Sequence, residues 1–205
     1  MNKNNKYIIV SSRPWHKKLF LNLKNFFSND KWILIDRSEK FNFEKVKLIN
    51  PKFIFIIHWS MIIPENIFSN YNCILFHMTD LPFGRGGSPL QNLIVKGFKN
   101  TKISGIKVDK KIDSGPIYLK KNLSLKGTAY EIFIRSSEII FEMIIEIINN
   151  KLKPKPQEGN ITFFKRRKPI ESKIDGLDSL EKVYDYIRML DCEGYPHSYL
   201  ENDNF

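Results

Sequence analysis

The stretch Asn72–Gly97, NCILFHMTDLPFGRGGSPLQNLIVKG, decides how the rest of the chain is read. From Asn72 to Phe76 it runs almost without interruption through apolar residues, which predicts a strand covered on both faces. His77 stands where that strand runs out. Leu81-Pro82 bars a helical continuation. Gly84, Gly86 and Gly87 allow tight turns and the close approach of a ligand to the backbone. Ser88 is the predicted N-cap of a short helix, Pro89 its first residue and Gly97 its C-terminal cap. In parallel α/β sheets, ligands bind outside the carboxyl ends of the strands. A titratable side chain there, followed by glycines and a helix N-terminus, makes a candidate site. A partly buried histidine beside an ordinary loop is the plain alternative.

Outward from this stretch, strands and helices alternate. Tyr7–Ser11, Trp32–Asp36 and Phe53–His58 read as buried strands, the last also ending in a histidine. Helices are predicted from Pro14 to about Phe27, over Phe43–Leu48, and from Pro64 to about Tyr71. Lys102–Asp109 and Ile117–Asn122 are further strands, separated by a sharp turn at Asp113-Ser114-Gly115-Pro116. Thr128 and Glu131 have the spacing of a capping box. They open a helix from Ala129 to about Asn149 that is apolar on most faces and should lie against the centre of one sheet face. The fold class is therefore α/β: a Rossmann-like, mostly parallel sheet with helices on both faces and right-handed crossovers.

Composition shifts at Lys151. KLKPKPQEGN has no core pattern and reads as a linker, FFKRRKP as possible strand, and Ser179–Leu190 as a last helix with Val183, Ile187 and Leu190 on one face. This divides the chain into residues 1–150 and a basic extension, 151–205. The chain of 205 residues carries a net charge of +11. Between Lys151 and Ile170, seven basic residues face one acid, Glu158. Such a cluster suits a phosphate-bearing ligand as well as a polynucleotide or a solvated surface. Cys73 and Cys192 offer no metal spacing and no disulfide framework, so a reducing cytoplasm is expected. No segment has the pattern of a signal peptide or a membrane span. Arg13, Trp15 and His16 fall after the first strand, where doubly wound folds often hold a phosphate, although no GxGxxG is present.

FHMTDLPFGRGGSP and, about 35 residues on, IDSGPIY resemble the two hallmarks of the folate-dependent formyltransferases. His77, Thr79, Leu81, Pro82, Arg85, Gly86 and Pro89 match the first, and Asp113, Gly115, Pro116 and Ile117 the second. The resemblance covers Phe53 to Asn149. It implies a catalytic domain over residues 1–150 that moves a formyl group from N10-formyltetrahydrofolate to an amine, with no metal. It also implies folate contacts from Ser60, Met61, Ile62 and Ile63 and from Lys110, Lys111 and Ile112. KRRKP and YDYIRMLDCEGYP resemble the tails of sugar N-formyltransferases, which implies a nucleotide-linked amino sugar as acceptor rather than nucleic acid. Only about 55 residues follow the long helix, too few for the C-terminal barrel of a methionyl-tRNA formyltransferase. The oligomeric state stays open, a homodimer included.

One residue departs from the family pattern. The catalytic asparagine expected two residues before the histidine is Leu75, which cannot donate a hydrogen bond to an oxyanion. Losing one such donor costs about 2.7–4 kcal/mol of transition-state stabilisation. His58, Thr79 or a bound water is the expected replacement; a tolerated weaker site and a changed activity are the alternatives.

Formyl transfer to an amine needs a neutral nucleophile, a stabilised oxyanion and a proton carried to the leaving nitrogen. A histidine paired with a carboxylate does the proton work near neutral pH. His77 and Asp113, 36 positions apart, are the candidate catalytic pair, with an Asx-type turn as the plain alternative for Asp113. Arg13, Trp15, Arg85, Gly86, Gly87, Lys165, Arg166 and Arg167 are the substrate candidates, the arginines because a planar fork binds phosphate bidentately. Arg188 could join them or form an ion pair with Asp185 or Asp191, and Tyr195 could stack on a base. Competing readings are a formyltransferase fold that only binds folate or a nucleotide sugar, formylation of glycinamide ribonucleotide or methionyl-tRNA, and RNA binding through the basic tail, which the charge favours and the lack of a known RNA module disfavours.

Overall fold

The computed structural model describes residues 4–201. In chain order the elements are β1 (Lys6–Val10), α1 (His16–Phe26), β2 (Lys31–Ile35), α2 (Phe43–Ile49), β3 (Phe53–Ile57), α3 (Glu65–Phe68), β4 (Cys73–His77), β5 (Arg85–Gly86), α4 (Pro89–Val95), β6 (Asn100–Lys107), β7 (Ile117–Ser124), α5 (Ala129–Asn149), β8 (Phe163–Phe164) and α6 (Leu180–Arg188). Six strands form one sheet in the order β2-β1-β3-β4-β6-β7. The pairings β1–β2, β1–β3 and β3–β4 are parallel, while β6 runs antiparallel to both β4 and β7. The predicted α/β class holds. Strand β6 runs antiparallel to β4 although α4 lies in the connection between them.

Period-2 alternation sorts the central strands between two cores. Tyr7, Ile9, Phe55, Ile57, Ile74 and Phe76 point to one face and pack with α1, α4 and α5. Ile8, Val10, Ile54, Ile56 and Cys73 point to the other and pack with Phe41, Val46 and Ile67. Helix α5 runs over the first core through Ile132, Phe133, Ile140, Met143, Ile144 and Ile147. Its capping box forms as the spacing predicts: the Glu131 amide donates to Thr128 Oγ1, and the Thr128 amide donates to Glu131 Oε2.

Two local expectations give way. Ser88 does not cap α4: it has a φ of +49°, and its hydroxyl accepts the Arg167 amide at 3.1 Å instead. Of the apolar face predicted for the last helix, Leu190 is buried and Val183 partly so, but Ile187 is half exposed, and within α6 the buried residues are Asp185 and Arg188. The helix turns an ion pair inward, which an apolar-face reading cannot anticipate.

The segment after α5 is tied closely to the main sheet's loops. Lys155 and Ile117 exchange backbone hydrogen bonds at 2.7 and 2.8 Å. Strand β8 pairs in parallel with β5 inside the glycine-rich loop. Phe164, Met189, Leu190 and Cys192 belong to the larger core. At Gly86 a Cβ would lie 2.4 Å from the Phe164 carbonyl oxygen, and φ is +107°, so this pairing needs glycine.

Candidate active site

The sheet order reverses between β1 and β3, the place where open α/β sheets form a ligand crevice. A cavity of about 690 Å³ lies there and extends over β4. Its lining contains Arg13 after β1, His58 after β3, His77 at the end of β4, and residues 109–115 of the β6–β7 connection. A volume of this order suits a cofactor-sized ligand.

His77 and Asp113 meet. Their Nδ1 and Oδ2 atoms are 3.6 Å apart, and each side chain is 8% exposed. His77 Nε2 lies 2.9 Å from the Gly84 carbonyl oxygen. A carbonyl only accepts, so Nε2 carries the hydrogen and Nδ1 is the nitrogen turned to Asp113. Asp113 Oδ2 in turn accepts the Gly86 amide at 2.8 Å. The glycine-rich loop thus holds both partners: one carbonyl orients the imidazole and one amide orients the carboxylate. Asp113 adopts a φ of +49°, and at Gly115 a Cβ would come within 1.7 Å of the Lys107 carbonyl oxygen. The D-x-G spacing is therefore a backbone requirement as well as a chemical one.

The expected folate contacts Ser60, Met61, Ile62, Ile63, Lys110, Lys111 and Ile112 all line the cavity. Met61, Ile62 and Ile112 are 58%, 92% and 71% exposed, a concentration of apolar surface at the cavity mouth that suits a flat ring system. Arg13, Gly86, Gly87, Arg166 and Tyr195 also line it. Leu75 does too, on the same face of β4 as His77 because the two are two residues apart.

Other candidates are employed elsewhere. The Arg85 guanidinium is buried and donates to Gln157 Oε1 through Nε and Nη2, at 3.2 and 2.8 Å. Trp15 stacks on Phe133 at 5.6 Å between ring centroids, a packing role rather than a platform for a base. Lys165 and Arg167 lie outside the lining; Arg167 donates to the Glu171 carbonyl and stands over Tyr186. Arg188 is a structural residue, paired with Asp185 at 2.6 Å. Of the two suggested stand-ins for asparagine, Thr79 is fully buried and its hydroxyl donates to the Gly84 carbonyl oxygen. His58 does line the cavity, with Nε2 3.0 Å from Met78 Sδ and a buried Nδ1 that has no partner among the described residues. Among those residues no cluster of His, Cys, Asp or Glu could hold a metal ion, and no helix is long and apolar enough to cross a membrane.

His58 stacks on His16, ring centroids 5.0 Å apart. Burial, with the Arg13 charge adding, pushes His16 down to about 3. Burial first, then proximity to the His16 ring and the Arg13 charge, also holds His58 well below its ordinary range. Both rings are neutral in the folded protein, and both take up protons near pH 6.5 once unfolded. Below that pH the unfolded chain binds more protons, so stability falls as pH falls, through the range down to about 3. His16→Gln should flatten this slope. Between pH 6.5 and 5 the wild type should lose about 2 kcal/mol more than the variant, read from urea melts at each pH.

Gln157, Thr162 and Phe164 also shape the site, and nothing in the sequence marked them. They lie in or beside KLKPKPQEGN, whose prolines and charges look like linker.

Residues 169–205 match the family model described as methionyl-tRNA formyltransferase, C-terminal domain. The methionyl-tRNA formyltransferase of Thermodesulfovibrio yellowstonii is 32% identical over 153 residues, which are 71% of this chain and 50% of that protein. The chain spans about half the length of the curated relatives it matches. The solved structure of the methionyl-tRNA formyltransferase from Clostridium thermocellum is 52% identical, with a TM-score of 0.94 over 97% of this chain and 88% of that one. HypX from Aquifex aeolicus in complex with tetrahydrofolic acid shares the fold, with 16% identity and a TM-score of 0.79 over 97% of this chain and 36% of that one.

These matches overturn the sugar reading. Solved sugar N-formyltransferases share the fold at only 12–16% identity. The expected nucleotide-linked amino sugar, and the argument against a nucleic-acid partner, rested on tail motifs and on the shortness of the extension. The tail matches a methionyl-tRNA formyltransferase domain instead, so a short extension is no bar to that kinship. From the His77–Asp113 pairing to the near-complete overlap with a solved relative, the chain belongs to the formyltransferase family.

Proposed function

We propose that this chain transfers a formyl group from N10-formyltetrahydrofolate to the amine of methionyl-tRNA. The observation that carries this reading is the 52% identity with the Clostridium thermocellum methionyl-tRNA formyltransferase over 97% of the chain. The cavity supports it. The apolar side chains of Met61, Ile62, Ile63 and Ile112 fit the pterin ring, and the irregular backbone of residues 59–64 leaves polar groups for its edge. Arg13, Lys110, Lys111 and Arg166 give the lining a positive balance that suits a polyanionic acceptor.

The folate supplies the formyl carbon and a nitrogen able to leave with the bonding pair. A C–N bond to the acceptor amine forms, the bond to the folate nitrogen breaks, and one proton passes from the amine to that nitrogen. In this reading His77 Nδ1 takes and returns the proton, which the contact of Nε2 with the Gly84 carbonyl supports. Asp113 balances the imidazolium from 3.6 Å. Burial of both side chains keeps the proton from exchanging with solvent.

A charged methionyl-tRNA incubated with radiolabelled N10-formyltetrahydrofolate should acquire the label. Its binding should weaken steeply with salt, the logarithm of the affinity falling by about 0.7–0.9 per contacted phosphate for each decade of salt. Leu75 favours one other reading, a fold that binds folate without transferring the formyl group. Folate binding in calorimetry with no label on methionyl-tRNA would select it.

A further inference from the structure

We propose that Gln157 is a positioning residue for the His77–Asp113 pair; this rests on reading that pair as the proton carrier. The Asp113 turn lies outside any strand and holds Asp113 at a φ of +49°. Something must keep it there, since this region is disfavoured for residues with a Cβ. Gln157 Nε2 donates to the carbonyl oxygens of Asp113 and Gly115, both at 2.8 Å. Its Oε1 accepts from Arg85 Nε and Nη2. The next residue, Gly86, donates its amide to the Asp113 carboxylate. These contacts close a ring that runs from the Asp113 backbone through Gln157 and Arg85 to Gly86 and back to the Asp113 side chain. Both ends of Asp113 are fixed by it.

The side chain is fully used. Both Nε2 hydrogens have acceptors, and Oε1 receives two donors. Glutamate could accept from Arg85 but has no hydrogen for the carbonyls. Asparagine is one methylene short. The strap that carries Gln157 is itself anchored on both sides. Lys155 pairs with Ile117, and Thr162 Oγ1 accepts the Gly84 amide at 2.7 Å. Its position is therefore set independently of the turn it holds.

Two variants test this, Gln157→Met, which keeps length without hydrogen bonds, and Gln157→Glu, which keeps only the Arg85 contact. Both should lower kcat about tenfold to a hundredfold, the scale of a misplaced catalytic group, with KM for N10-formyltetrahydrofolate within about twofold. The Gly86 amide, followed by NMR hydrogen exchange, should exchange at least about tenfold faster in either variant. A packing role alone would lower Tm and leave kcat in place. Unchanged kcat overturns the proposal, and so does a kcat loss with unchanged Gly86 exchange, because the effect would not run through the Asp113 turn. Should Gln157→Met not fold, Gln157→Glu decides. The exchange measurement needs no substrate, so it still judges the hold on the turn if the wild type transfers no formyl group to methionyl-tRNA.

Discussion

Asp113→Asn should lower kcat for formyl transfer about 10²–10⁴-fold while leaving KM for the folate nearly unchanged, and His77→Ala should do the same. Asparagine is the informative replacement at 113. It tolerates a positive φ, so the turn at +49° survives, whereas alanine would add backbone strain. It keeps an oxygen for the Gly86 amide, which now donates to Asp113 Oδ2 at 2.8 Å. What it removes is the negative charge opposite His77 Nδ1. A loss confined to kcat would mean that the charge is felt after both substrates are bound. Turnover near that of the wild type in either variant would exclude this pair as the proton carrier. Neither substitution should shift Tm much, because the pair lies at the cavity wall and not in either apolar core.

Arg188→Ala should cost the most stability, about 3–5 kcal/mol. Arg188 is 5% exposed and Asp185 8%. The guanidinium donates to Asp185 Oδ1 at 2.6 Å and to the carbonyl oxygens of Leu125 and Gly127 at 2.6 and 2.9 Å. Truncation would leave a buried carboxylate and two carbonyls without donors. For a domain of this size the loss corresponds to a fall in Tm of roughly 6–20 °C. The double variant Arg188→Met/Asp185→Leu should recover most of it, since replacing a buried ion pair by apolar groups is often close to neutral. Calorimetry of the three proteins measures both effects. A Tm within about 2 °C of the wild type in Arg188→Ala would show that water reaches the pair and that its burial counts for little.

Arg188 also shows where reading a sequence stops. Its spacing with Asp185 was visible, and an ion pair was one of its two readings. Nothing in the sequence said that the pair faces inward, because that depends on what α6 meets. The same holds for Arg85. Its type suits a phosphate, and only the folded chain reveals that Gln157, 72 positions later, takes its donors. Thr79 and Trp15 were drawn into the site by their neighbours in sequence, yet neither lines the cavity: Thr79 bonds to the Gly84 carbonyl and Trp15 packs on Phe133.

Local rules determined the rest. Continuous apolar runs of four or five residues marked the buried parallel strands, because strands covered on both faces admit few polar groups. The Thr128–Glu131 spacing set the start of α5 to the residue, because a capping box is closed within one turn. His77 stands out at the end of a strand, whereas Asp113 could be named only through the resemblance of IDSGPIY to the second formyltransferase hallmark, because by itself its sequence reads as an ordinary turn. Tertiary structure decided what joins segments far apart: the antiparallel β6, the strap over the site, and the ring through Gln157 that holds Asp113. These depend on distances set by packing between elements, and the order of residues along the chain carries no direct record of them.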